Sequence, residues 1–199
     1  MKYLLLATFV IFFLISCQDS SNITEPITST APLSFNKDGV NLYELIPLPP
    51  KSPEWEDSIF TLSKEINGNA GGVIQMFKYY ITSSGSPCFI YIYLNIPKNA
   101  FTGTKNITMT LDDEFATIHF YPEMNFNKTL MLTQYFQSID LIPILSNWNR
   151  RIDFVYINDD GEIELIQKNG IDINNLLGLV KVINARLHHF SRYGWVKKN

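Results

Sequence analysis

Gly71-Gly72-Val73-Ile74, Leu94-Asn95-Ile96-Pro97-Lys98-Asn99-Ala100-Phe101, Asn106-Ile107-Thr108-Met109-Thr110 and Phe120-Tyr121-Pro122-Glu123-Met124-Asn125-Phe126-Asn127-Lys128 mark out the stretch from Gly71 to Leu132 as a succession of strands and turns. Gly71-Gly72 admits backbone angles that a Cβ forbids, so it reads as a turn or bulge opening a strand. Between Cys88 and Ile96 nearly every residue is aromatic or aliphatic, which suits a pleated, half-buried surface. Pro97 cannot donate to a ladder, so the strand ends there or becomes an edge. From Asn106 to Leu111, Ile107, Met109 and Leu111 alternate with Thr108 and Thr110. That is a period of two, with one face inward and one outward. Pro122 closes a short strand at Tyr121, and the residues from Asn125 to Asn127 supply turn chemistry before a strand over Thr129–Thr133.

The same texture extends to both sides. Strands are expected over Ile59–Ile66, Val73–Ile81, Thr104–Leu111, Ala116–Tyr121, Arg151–Ile157, Glu162–Gln167, Val180–Asn184, Ala185–Phe190 and Tyr193–Val196. Asn158-Asp159-Asp160-Gly161 is a strong hairpin signal between two of them. The segment from Gln137 to Arg150 is looser, and Asp172 to Leu179 is the one place where the residues allow a helical turn. Short strands with turns every eight to twelve residues argue for an all-β fold, an antiparallel β-sandwich occupying residues 58–199.

The beginning of the chain reads differently. Residues 1–16 have the pattern of a signal peptide: Lys2, then an apolar run from Leu4 to Ile15, too short for the roughly 20 residues of a membrane span. Leu14-Ile15-Ser16-Cys17 resembles a bacterial lipobox, which implies cleavage before Cys17 and a lipid on its thiol. Residues 17–57 read as the lipidated Cys and a flexible Pro/Ser/Thr-rich tether, stiffened by Pro47, Pro49, Pro50 and Pro53. Leu42, Tyr43, Leu45, Ile46 and Leu48 are apolar enough to lie partly on the domain, and Trp55 is expected to dock where tether and sandwich meet.

The motifs of the Gly71–Leu132 stretch, in this order, resemble the ZU-five domain of ankyrins, netrin receptors and zona-occludens proteins, and more closely its bacterial lipoprotein relatives. The resemblance covers about residues 58–196, with Leu187-His188-His189-Phe190-Ser191-Arg192-Tyr193 as its closing strand. Lys98 departs from it where many members carry a second Pro, and Met124-Asn125 where a Gly is usual. It implies a lipid-anchored protein of the bacterial cell envelope with a structural or protein-interaction role. It also implies a second activity class. His189-Phe190-Ser191 matches the His-Phe-Ser at which some relatives, the function-to-find domains, cut themselves. Carried over, Ser191 would attack the Phe190 carbonyl while His189 takes its proton. In those relatives a long second half follows the cut, whereas here nine residues, Ser191–Asn199, follow it.

Composition agrees with a globular β domain: apolar residues are 46% and aromatics 14% of the chain. A pI near 5.6 argues against nucleic acid, which requires a basic face. Cys17 and Cys88 are the two cysteines, so with Cys17 acylated no disulfide is expected, and Cys88 reads as a small buried hydrophobe. His119, His188 and His189 lack zinc-ligand spacing, and Asp112-Asp113-Glu114 and Asp159-Asp160-Gly161 read as solvated turns rather than calcium loops. No metal, cofactor or enzyme activity is expected from these residues. Phe89, Tyr91 and Tyr93 alternate with Ile90, Ile92 and Leu94, so the aromatic set faces away from the core, either toward solvent or under a cover from the tether or the 137–150 loop, with Tyr79 and Tyr80 alongside. Exposed, such a row is a binding site for a glycan or an envelope protein partner.

Overall fold

The computed structural model describes residues 34–37, 40–55, 60–141 and 152–198. Among these residues thirteen strands follow in order: β1 (Ser34–Lys37), β2 (Val40–Leu45), β3 (Thr61–Asn67), β4 (Gly72–Ile81), β5 (Pro87–Ile96), β6 (Thr104–Leu111), β7 (Thr117–Tyr121), β8 (Asn125–Gln137), β9 (Ile152–Ile157), β10 (Ile163–Leu165), β11 (Gly170–Asn174), β12 (Leu179–His189) and β13 (Arg192–Lys198). Among the described residues there is no α-helix, only a 3-10 turn at Pro53–Trp55. All pairings are antiparallel and form two sheets, so the chain is an all-β sandwich. One sheet has five strands in the order β11-β12-β8-β5-β4. The other has eight and is built around β13, which pairs with β9 along one edge and with β7 and then β2 along the other.

The period-two reading places the core correctly. Ile90, Ile92, Leu94 and Ile96 of β5 and Ile107, Met109 and Leu111 of β6 are buried between the sheets. Trp195 lies edge-on to Phe154, 5.3 Å between ring centroids, in the same core. Leu45, Val155, Ile157 and Val196 form a second, smaller cluster apart from that core. Gly71 opens β4 at φ 73°, and a Cβ there would meet the Ile96 carbonyl oxygen at 2.5 Å, so the turn requires glycine on two counts. Asn158 to Gly161 is the expected hairpin, with Ile157 opposite Ile163.

Three expectations are corrected. The span given to the tether, residues 17–57, contains two strands: β1 and β2 belong to the eight-stranded sheet. Leu45, Ile46 and Leu48 are buried there, and Ile46 is tied by main-chain bonds to Trp195 and Ala116. The helical turn between Asp172 and Leu179 is instead β11 and a tight turn into β12. Asn174 Oδ1 accepts from the Leu177 N–H at 3.1 Å, and Gly178 takes a left-handed φ of 56°. The two segments expected on either side of Asn184 are one strand, β12, with a bulge: Asn184 has φ 49° and the register slips between Val182 and Ala185. The bulge changes parity, so Val180 and Val182 before it and Ala185 and Leu187 after it all face the core. Residues 1–16, Cys17 and residues 142–151 lie outside the described residues.

One core position breaks the apolar pattern. Gln134 of β8 is fully buried between Ile92 and Val182, its register partners, and neither amide atom has a hydrogen-bond partner. A buried amide left unpaired costs about 1–3 kcal/mol. Gln134→Met, similar in shape and apolar, is therefore expected to raise the unfolding free energy by about 1–2 kcal/mol in urea titration. A lowered midpoint would show that the amide is held by a partner.

Candidate functional site

The five-stranded sheet turns its second face away from the core, and that face collects the aromatic residues. The register aligns Phe77, Tyr91, Tyr135, Lys181 and Asp172 in one row across all five strands. Tyr79, Phe89 and Gln137 form the next row, and Gln75, Tyr93 and Thr133 the one on the other side. Neighbouring rings touch: Tyr91 and Tyr135 are 5.2 Å apart at their centroids and nearly parallel, and Phe89 lies 6.2 Å from both Phe77 and Tyr79. Trp55 sits 5.5 Å from Tyr79 at the border, where the N-terminal segment meets the sandwich, as expected for it.

Phe89, Tyr91 and Tyr93 stand on this face as the alternation implies and are half-buried, Phe89 against Phe77 and Tyr79 and Tyr91 against Tyr135. Phe77 is 56% and Tyr79 47% exposed, so the row ends open at β4. Tyr79 and Tyr80, adjacent in sequence, part company. Tyr80 is in the core, where its hydroxyl donates to the Pro49 carbonyl at 2.7 Å and burial pushes its pKa up. Sequence reasoning missed Phe77 and Tyr135. The signal was present, since both fall at the outward parity of their strands, but the pairing that brings them beside Tyr91 is long-range. The polar members lie beside Tyr93: Asn184 N–H donates to Thr133 Oγ1 at 3.2 Å, and the Thr133 hydroxyl faces Asn184 Oδ1 at 3.5 Å. The face thus combines rings for apolar contact with amide and hydroxyl groups able to exchange hydrogen bonds.

The His189-Phe190-Ser191 motif lies elsewhere, at the turn from β12 into β13. Phe190 is 1% exposed, stacked on Phe120 at 5.2 Å and edge-on to Phe126 at 4.7 Å. Its N–H donates to the Met124 carbonyl, the Ser191 carbonyl accepts from the Phe120 N–H, and the Tyr193 hydroxyl donates to the His189 carbonyl at 2.7 Å. The His189 ring packs edge-on against Tyr156 at 4.5 Å. Among the described residues no hydrogen bond joins the Ser191 hydroxyl to the His189 ring, and the non-glycine residues with left-handed φ are Asn99, Ser138 and Asn184. The backbone around the Phe190–Ser191 bond is held by these hydrogen bonds on both sides. A cleft of about 370 Å³ beside it is lined by Glu123, Asn125, Tyr156, Asp159, His189 and Ser191.

The remaining chemical candidates are accounted for locally. Cys88 is buried, and burial pushes its thiol up to about 11, opposed by a contact with Tyr80, so it is a poor nucleophile. Asp112 caps its own turn, accepting from the Glu114 and Phe115 N–H groups at 2.9 and 2.8 Å. His119 stacks on Tyr121, whose hydroxyl meets its Nδ1 at 3.0 Å, and burial holds its pKa below the ordinary value against the pull of Glu123. His188 Nδ1 meets the Thr129 hydroxyl at 3.3 Å. Among the described residues no group of three or more His, Cys, Asp or Glu side chains could hold a metal ion, and no helix is long and apolar enough to cross a membrane. In comparison with known proteins, no family model, no curated protein and no solved structure matches this chain.

Proposed function

We propose that this chain is a lipid-anchored module of the bacterial cell envelope that binds polysaccharide through the outer face of its five-stranded sheet. The observation that carries the reading is the continuous row of rings from Phe77 through Tyr91 to Tyr135, open at the β4 end. Rings give apolar contact to the C–H faces of sugars at little conformational cost, and Gln75, Thr133, Asn184 and Gln137 supply hydroxyl and amide partners between them. The signal-like beginning of the chain and Leu14-Ile15-Ser16-Cys17 support placement at a membrane surface, and the ZU-five resemblance supports a module that recognises rather than transforms.

The experiment is retention of the purified protein on insoluble peptidoglycan, chitin, cellulose and xylan. The double variant Tyr91→Ala/Tyr93→Ala is expected to lose about tenfold or more in affinity for whichever polysaccharide retains the wild type, at roughly 0.5–1.5 kcal/mol per ring contact. Both rings are half-buried, so each substitution alone is expected to cost about 1 kcal/mol of stability. Undiminished retention of the variant, no retention of the wild type on any of the four, or a loss of several kcal/mol in folding from either substitution sinks the reading.

A further inference from the structure

The edge of β4 offers a second kind of recognition, independent of the sugar-binding reading. In β4 the odd-numbered residues turn their main-chain groups away from β5. Ile81 accepts from the Ser52 N–H at 2.8 Å, Val73 accepts from Lys64 Nζ at 2.9 Å, and the even-numbered Thr82 is the one that bonds back across the hairpin, to Ser86. Between these two capped ends, no hydrogen bond among the described residues reaches the outward N–H and C=O groups of Gln75, Phe77 and Tyr79. We infer that this open edge of β4 takes an extended peptide of about five residues as an added strand, across roughly 17 Å of ladder.

Three observations favour a peptide strand as the occupant. Edge strands are commonly blunted by proline, by charge or by shortness. β4 is ten residues long, has no proline and has one charged residue, Lys78, at the parity of the core face. β11, the opposite edge of the same sheet, has five residues including Asp172 and Asn174, and β3 has Lys64 and Glu65. Next, the chain itself shows strand addition here: residues 50–52 run antiparallel beside the end of β4, with Ser83 N–H donating to the Pro50 carbonyl and Lys51 bridged to Thr82. Finally, the caps select against a second copy. Two β4 strands paired antiparallel about Phe77 would place Val73 of one opposite Ile81 of the other, where Ser52 already sits. A short free segment avoids that collision. Its outward side chains would lie by Phe77 and the Trp55–Tyr79 pair, which favours apolar or aromatic residues at alternate positions.

The probe is a capped seven-residue peptide alternating valine and threonine, with a copy N-methylated on alternate amides as control, and the readout is amide hydrogen exchange of the full chain. Saturating peptide should slow exchange of the Gln75, Phe77 and Tyr79 amides at least tenfold, and the N-methylated copy should not. Gln75→Pro removes one outward donor without breaking a bond to β5, so it should keep the fold and weaken the peptide at least tenfold. Tyr93→Ala, on the sugar-binding face, should change peptide affinity less than threefold, so the two readings fail separately. Unslowed exchange, equal protection by the N-methylated copy, or a dimer in sedimentation velocity that Gln75→Pro abolishes overturns the inference.

Discussion

Replacing Phe190 with alanine is expected to cost about 3–5 kcal/mol of stability, the range for removing a large aromatic from a packed core. The ring is sealed between Phe120 and Phe126 while the main chain around it is pinned to Met124 and Phe120, so the site cannot collapse to fill the space. Ser191→Ala is expected to cost about 1 kcal/mol or less, because the hydroxyl bonds to no described residue while the Ser191 carbonyl keeps its bond from Phe120. Urea titration of both variants checks the contrast. The same pair separates packing from self-cleavage at His189-Phe190-Ser191. Intact mass under denaturing conditions should show one species in the wild type and in Ser191→Ala alike. A wild-type fragment lacking Ser191–Asn199, absent from Ser191→Ala, would mean that the seryl hydroxyl does attack the Phe190 carbonyl.

Cys17→Ser should detach the protein from the membrane entirely. The lipobox reading assigns the whole of the membrane affinity to acyl chains on that one sulfur. Each buried CH₂ contributes about 0.8 kcal/mol, so a doubly or triply acylated cysteine holds stably where one chain would not. In the native host the wild type should label with palmitate and partition into detergent, and Cys17→Ser should do neither. Continued partitioning of the variant would place the attachment elsewhere in the chain and remove the anchor from the proposed function.

Most of the sandwich was legible in the residues because strand periodicity is a local property. Ile107, Met109 and Leu111 announce a buried face whatever strand lies beside them, and Asn158-Asp159-Asp160-Gly161 closes a hairpin by its own backbone preferences. The same locality let Phe89, Tyr91 and Tyr93 be assigned to one side of β5. Locality also explains the misplacements. A Pro-rich composition reads as a spacer, yet β2 finds an unpaired stretch of β13 and buries Leu45 and Ile46 beyond it, a gain visible only once β13 is in place. Asp172 to Leu179 carries no strong period of its own and becomes strand and turn because β12 offers it a partner.

The alternation is local: which residues of each strand share a side, and that the sides differ in character, follow from the residues alone. Whether a side is covered was decided by the tertiary structure alone, because cover comes from strands distant in the chain. Tyr79 and Tyr80 have the same side chain one residue apart. The placement of β4 at a sheet edge leaves one 47% exposed and packs the other into the core. The same long-range pairing sets Gln134 among apolar neighbours, joins Phe77 and Tyr135 to Tyr91, and leaves the outward main-chain groups of Gln75, Phe77 and Tyr79 with no strand beside them among the described residues.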